Sequence, residues 1–254
     1  MVSVVARVRQ VQQPRGGFIN PRSMEVTQLD DGKPSPLDHK IESVHSSLVG
    51  MAVDYMTRFL IGASPAEAFR ISLIGASIIR EEDEAFDLIQ GITGLNHSSL
   101  VNACKLAGYD VIYRAGMAGY RPVETINPDM ATTTNIAVLV ERSLSFFKVY
   151  GPITLDGFAF PGGYTAAVNA GDGDFLTEDT LWDFKVSVSG PTKDHTLQLL
   201  IYLLMGRASG QPEFDTITHL GIFNPRLNSV YRIALADIAP DIIEEVSSEV
   251  IGYK

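Results

Sequence analysis

The sequence lacks the residues and segments that mark several protein classes. Cys104 is the only cysteine among the 254 residues, so neither an intrachain disulfide nor a cysteine-rich zinc cluster can form. No uninterrupted run of about 18 apolar residues occurs. The segment from Met1 to Val11 has neither the apolar centre nor the small-residue cleavage site of a signal peptide. We therefore expect a cytoplasmic protein with no membrane partner.

Basic residues are also scarce. Lys and Arg total 20 against 30 Asp and Glu, which gives a formal net charge of -10. This balance excludes a protein that holds nucleic acid through a broad basic surface alone, so any site for a polyanion must be local. Neither Gly-x-x-x-x-Gly-Lys-Ser/Thr nor Gly-x-Gly-x-x-Gly occurs in the sequence, which disfavours nucleotide-driven activities.

Apolar material is plentiful, since hydrophobic residues make up 45% and charged residues 20% of the chain. This composition predicts a globular protein of one or two domains. We predict a mainly helical region over residues 1–130 and an α/β core over residues 131–254. Within the first region, alternating valines at 2–8 favour a strand, and residues 109–114 favour a second short strand.

The helices of the first region are indicated by apolar spacing and by caps. Apolar residues recur every three or four positions over 38–60. The sequence Ser64-Pro65-Ala66-Glu67 combines a capping box with proline at the first helical position, which predicts a helix to about residue 79. Acidic residues at 81–84 suit the start of another helix, and a further helix is expected over 98–107.

The second region changes to a mixed pattern. A long helix carrying Glu141 is predicted over about 132–150. Strand-like segments broken by glycine follow at 153–160, at 164–169, and at 174–176 together with 181–188, which are counted as one. A helix at 193–206 and two strands at 217–223 and 229–233 come after them. The predicted order of elements is therefore helix, three strands, helix, strands.

Two acidic residues fall opposite each other in the predicted hairpin. A two-residue turn at Glu178 and Asp179, or a four-residue loop at 177–180, gives the same register and places Asp174 opposite Asp183. Lys185 returns to the same face. Like charges placed opposite one another are destabilising, and a hard divalent cation would compensate them. The alternative is that these acids are solvent-exposed residues of a hairpin next to a turn.

The helix after the hairpin carries a polar stripe on an otherwise apolar surface. His195, Gln198 and Tyr202 lie at i, i+3 and i+7. Such a stripe is expected to face a site. The alternative is a Gln–Tyr pair that satisfies itself at the surface.

Together these residues resemble a known family. Asp174, Asp183-Phe184-Lys185 and Gln198-x-x-x-Tyr202, in this order of elements, resemble the PD-(D/E)XK nuclease superfamily, and in particular its branch with the RecB nuclease domain and lambda exonuclease. The resemblance covers about residues 130–235. It implies a restriction-endonuclease-like core in which the two aspartates bind Mg²⁺ or Mn²⁺ and the lysine assists the nucleophilic water.

The resemblance also implies roles for further residues and a function. Gln198 and Tyr202 would support the site or contact DNA, and Glu141 is the candidate for an additional metal ligand. Gly173 stands where the family commonly has proline, and Val186 follows Lys185 where the RecB-like branch commonly has threonine. We expect a metal-dependent deoxyribonuclease. The alternative is a non-catalytic nuclease-fold protein that acts as a binding or assembly module, and in either case a homo-oligomer or partner protein would supply basic surface.

Overall fold

The computed structural model describes all 254 residues and divides into two compact units. The first, which we call the sheet unit, contains Met1–Lys33 and Phe146–Lys254, and the second, the helical unit, contains Pro34–Ser145. The α/β class, with a helical N-terminal half followed by a sheet, is confirmed. The sheet unit is discontinuous in sequence, because the first 33 residues join it, whereas the predicted domains 1–130 and 131–254 are consecutive.

Ten α-helices and six strands make up the chain. The helices are α1 (Val4–Gln10), α2 (Ser46–Leu60), α3 (Pro65–Ala68), α4 (Arg70–Ile79), α5 (Glu82–Gln90), α6 (His97–Ala107), α7 (Asp110–Ala115), α8 (Met130–Tyr150), α9 (Lys193–Ala208) and α10 (Pro240–Glu245). The strands are β1 (Glu25–Gln28), β2 (Leu155–Ala159), β3 (Asp172–Leu176), β4 (Thr180–Phe184), β5 (His219–Asn224) and β6 (Ser229–Ala234). None of the helices is long and apolar enough to cross a membrane.

All six strands form one mixed sheet in the order β1-β6-β5-β4-β3-β2. β4 and β5 are parallel and every other neighbouring pair is antiparallel. The parallel pair needs a crossover, and α9 provides it. The sequence of α8, three strands, α9 and two strands matches the predicted order.

The sheet buries a different set of side chains on each face. On one face, the rings of Phe175 and Trp182 join Phe146 from the last turns of α8 and Phe223 from β5. The ring centroid of Phe146 lies 4.9 Å from that of Trp182 and 4.3 Å from that of Phe223. On the other face, Leu181 and neighbouring aliphatic residues pack against the buried face of α9. The aromatic side chains of β3 and β4 therefore lie on a buried face of the sheet.

The helical unit is organised around a buried acid. Asp110, at the start of α7, accepts hydrogen bonds from Ser72 Oγ at 2.6 Å and from the Tyr55 hydroxyl. α4 approaches α7 closely at Gly75, where a Cβ would lie 2.2 Å from the Tyr109 carbonyl oxygen. Burial raises the pKa of the Asp110 carboxyl, although its hydroxyl donors and Arg114 oppose that shift.

Two predicted strands of the first region are helices. The valines at 2–8 lead into α1, which Ser3 caps by accepting a hydrogen bond from the Ala6 amide. Val4 and Val8 are both buried, and a spacing of four residues fits either a strand or one face of a helix. Residues 109–114 lie largely in α7, because Asp110 must reach its two hydroxyl donors and the short segment packs on α4.

Three other predicted elements differ less from the observed structure. Residues 164–169 form a loop rather than a strand, in which Thr165 Oγ1 accepts from the amides of Ala167 and Val168. The capping box at Ser64 is present, but the predicted helix to residue 79 breaks at Phe69 into α3 and α4. α2 begins at Ser46 rather than near residue 38, after a 3-10 turn at His39–Ile41.

Candidate functional site

The hairpin of β3 and β4 has the predicted register. Phe175 pairs with Trp182 and Leu176 with Leu181. Continued by one residue, this register sets Asp174 opposite Asp183. The backbone pairing has stopped there, and Asp174 Oδ2 instead accepts a hydrogen bond from the Phe184 amide at 2.6 Å.

Asp183 is the buried centre of a cluster formed by Asp174, Asp183, Lys185, Gln198 and Tyr202. It is only 2% exposed, and Lys185 Nζ lies 3.0 Å from its Oδ1 and 2.9 Å from its Oδ2. Apart from this ionic contact, Oδ2 is buried without a hydrogen-bond donor. Burial acts to lower the pKa of Lys185, but the charges of Asp183 and Asp174 outweigh it and raise that pKa above its usual value. The lysine is therefore a cation.

Two residues of α9 complete this side of the cluster. Gln198 Nε2 donates to the Tyr202 hydroxyl oxygen at 2.8 Å and lies 3.4 Å from Asp183 Oδ1, a long contact. Both side chains are buried. The mutual hydrogen bond of the alternative is therefore present, but its location at the surface is wrong, because the pair is buried beside Asp183. Their predicted roles in catalysis remain predictions.

The hydroxyl of Tyr202 keeps its proton. Burial raises its pKa, and the negative charges of Asp183 and Asp174 raise it further, while the hydrogen bond from Gln198 opposes the shift. Tyr202 can therefore donate a hydrogen bond in the site, but it cannot serve as a base near neutral pH.

His195 occupies the first position of the stripe with a defined tautomer. Its Nδ1 accepts a hydrogen bond from the Thr192 amide at 3.2 Å, so the ring proton of the neutral form is on Nε2. Burial and the charge of Lys185 lower the pKa of His195, and Asp183 and Asp194 partly oppose that change. The imidazole is thus a neutral donor near the cationic lysine.

Asp174 and Asp183 suit a divalent cation. Mg²⁺ is commonly bound by one or two carboxylates, with water and phosphate oxygens as the other ligands. The buried Asp183 Oδ2, whose one polar neighbour is the Lys185 amine at 2.9 Å, offers such a ligand atom. No group of three or more His, Cys, Asp or Glu side chains in the chain could hold a metal ion. Glu141 is exposed in the helical unit, and its role as a ligand remains a prediction.

A neighbouring loop that sequence reasoning missed lies against the start of α9. Gln13 Nε2 donates to Asp194 Oδ1 at 2.7 Å, and a Cβ at Gly17 would lie 2.6 Å from Lys193 Cβ. Arg15, between these contacts, and Lys193 are both exposed. No local signal points to this juxtaposition, because 181 positions separate Gln13 from Asp194.

Comparisons with known proteins add no relative. No protein-family profile, no curated protein sequence and no solved structure matches the chain. The geometry of the cluster and the residues that compose it are therefore the basis on which a function can be assigned.

Proposed function

We propose that the sheet unit is a restriction-endonuclease-like core that hydrolyses DNA phosphodiester bonds with the help of Mg²⁺ or Mn²⁺. One observation carries the proposal: a buried aspartate, Asp183, has both carboxylate oxygens within 3.0 Å of a lysine amine, and the amide of the next residue donates to a second aspartate, Asp174. Such a buried ionic group is costly to a fold, so it is more readily understood as part of a site than as a source of stability.

Asp174 and Asp183 would hold the cation. When bound, the ion supplies Lewis acidity, which polarises the phosphate and lowers the pKa of a bound water. The buried Gln198 lies 3.4 Å from Asp183 Oδ1 on the side of α9 and would help to orient the carboxylate. Such positioning residues keep a reacting group in its productive geometry.

Lys185 is suited to electrostatic stabilisation. Its raised pKa keeps it protonated, so it donates hydrogen bonds and positive charge instead of accepting a proton. Its side chain is 28% exposed, whereas that of Asp183 is 3% exposed, so the lysine is the solvent-accessible member of the pair. A phosphate oxygen arriving from solvent would meet this cation, and charge that develops on the phosphate in the transition state would be stabilised there.

DNA binding requires local positive charge in an acidic protein. Arg15 and Lys193 are exposed at the start of α9, where the loop containing Gly17 contacts Lys193. Phosphate contacts from such residues position a nucleic acid without reading its sequence. We therefore expect a salt-sensitive interaction with the DNA backbone.

The second candidate function is a non-catalytic nuclease-fold protein that acts in binding or assembly. The net charge of -10 favours it, because an acidic surface repels DNA. In that case Lys185 serves only to neutralise the aspartates, and a homo-oligomer or partner protein would provide any basic surface.

A cleavage assay with matched variants separates the two functions. Supercoiled, linear and single-stranded DNA are incubated with Mg²⁺ or Mn²⁺ and with wild type, Asp183→Asn, Lys185→Ala or Glu178→Gln. Glu178 is exposed in the turn at the other end of the hairpin, so its substitution controls for loss of one negative charge. We expect Asp183→Asn to abolish cleavage and Lys185→Ala to lower turnover about 100-fold or more with DNA binding retained.

Two results would contradict the proposal. Equal cleavage by wild type, Asp183→Asn and Lys185→Ala would place the activity at a different site or in a contaminant. No cleavage of any substrate by wild type, with metal shown to be bound, would favour the non-catalytic function.

A further inference from the structure

The helical unit contains a cleft with an apolar floor. Its volume is about 410 Å³, within the range of about 300–1,000 Å³ typical of small-molecule sites. The floor is built largely from apolar side chains of α2, α7 and the segment before α8, including Leu48, Met51, Val111 and Ile126. All the lining residues belong to the helical unit, so the cleft is independent of the aspartates of the sheet unit.

One charged residue lines this cleft, and it is a cation. Arg121 is among the lining residues, and no Asp or Glu is. Two other arginines of the helical unit are paired with acids: Arg58 lies 3.1 Å from Asp54, and Arg114 lies 3.6 Å from Asp110. Arg121 is thus the one residue with a fixed charge among the lining residues of this largely apolar cleft.

A second donor at the cleft is His45, which caps α2. Its Nδ1 accepts a hydrogen bond from the Ser47 amide at 3.2 Å, so the neutral ring carries its proton on Nε2. His45 and Ser47 both line the cleft. The polar side chains of the lining thus include one imidazole whose Nδ1 is already used by Ser47, which leaves Nε2–H as its remaining donor.

We propose that this cleft binds a small amphipathic carboxylic acid. The apolar body of the ligand would cover Leu48, Met51 and Val111, and its carboxylate would pair with Arg121 and accept from His45. The planar guanidinium matches a carboxylate in a two-point contact. An inorganic anion would satisfy the arginine but leave the apolar floor open to water, so both features together select an acid with an apolar body.

The test measures binding to the full chain, with octanoate as the acid and octanol as its neutral counterpart. Calorimetry and two-dimensional NMR should show octanoate binding at least tenfold more tightly than octanol. Arg121→Gln should weaken octanoate about tenfold or more and leave octanol unchanged, because a charge-assisted contact is lost. Arg70→Gln, which removes an exposed arginine of α4 outside the cleft, should change neither.

A second variant tests the apolar floor. Leu48→Trp fills the cleft and should abolish binding of both compounds, with circular dichroism confirming that the variant is folded. Inorganic phosphate should not displace octanoate at equal concentration. The proposal is overturned if octanoate does not bind, if octanol binds as tightly, if Arg121→Gln binds octanoate like wild type, if Leu48→Trp retains binding, or if phosphate competes fully.

Discussion

Replacing Lys185 with methionine should destabilise the sheet unit by leaving Asp183 charged, buried and without a cation. Removing one partner of a buried ion pair typically costs about 3–5 kcal/mol. Because the Lys185 side chain is 28% exposed, solvent already screens part of the interaction, and we expect a loss of about 2–4 kcal/mol. Methionine retains most of the apolar contact of the lysine stem, so the charge is the main change.

Unfolding in urea at pH 7 measures this loss through one fluorophore. Trp182 is the only tryptophan, is 1% exposed, and lies on β4 next to Asp183. Its fluorescence therefore reports the sheet unit directly. Adding Asp183→Asn to Lys185→Met should recover about 1–3 kcal/mol, since the uncompensated charge is removed. Mn²⁺ should stabilise Lys185→Met by about 2.7 kcal/mol at a concentration 100 times its dissociation constant.

Two results would refute the claim that the uncompensated charge of Asp183 causes the loss of stability. If Lys185→Met loses less than about 1 kcal/mol, or if the added Asp183→Asn lowers stability further, the uncompensated charge is not the cause. Glu178→Gln, at the opposite end of the hairpin, should stay within about 0.5 kcal/mol of wild type.

Three further predictions concern hydrogen bonding, pH and packing. Tyr202→Phe should cost about 1 kcal/mol in unfolding free energy, because Gln198 Nε2 loses its 2.8 Å acceptor, and should reduce cleavage of plasmid DNA about tenfold. An unchanged cleavage rate per folded molecule would show that the hydroxyl has only a structural role. Because the pKa of Asp110 is raised on folding, the folded state binds the proton of this carboxyl more tightly than the unfolded state does. In urea titrations, the stability of wild type relative to Asp110→Asn should therefore increase as the pH falls from 7 toward 4, and a decrease would contradict the raised pKa. Gly221→Ala should lower the free energy of unfolding by about 1–3 kcal/mol and alter the tryptophan emission, because the new Cβ would lie 2.3 Å from the Trp182 ring. Unchanged stability and emission would refute this close packing of Gly221 against Trp182.

The hairpin could be predicted from sequence because its register follows from local spacing. Once the turn at Glu178 is placed, alternation alone sets the aromatic face and the acidic face of β3 and β4. The spacing of Gln198 and Tyr202 likewise placed them on one side of α9. Their burial against Asp183 depends on how α9 packs on the sheet, which local spacing does not specify.

Contacts between distant segments were not predictable in the same way. Val4 and Val8 fit either periodicity, and burial of their shared face in the core decides for a helix. β1 has four exposed residues, so no hydrophobic alternation marks it as a strand. It pairs with β6, about 200 positions away, through backbone hydrogen bonds that its sequence does not encode locally.

Binding of Mn²⁺ followed by electron paramagnetic resonance tests the central claim most directly, because free Mn²⁺ gives a signal that bound Mn²⁺ loses. Wild type and Glu178→Gln should bind Mn²⁺ with the same affinity and stoichiometry, and Mg²⁺ should displace it. Asp174→Asn and Asp183→Asn should each weaken binding at least tenfold, since each removes a charged ligand. Identical Mn²⁺ binding by all four proteins would contradict the assignment of Asp174 and Asp183 as the metal site.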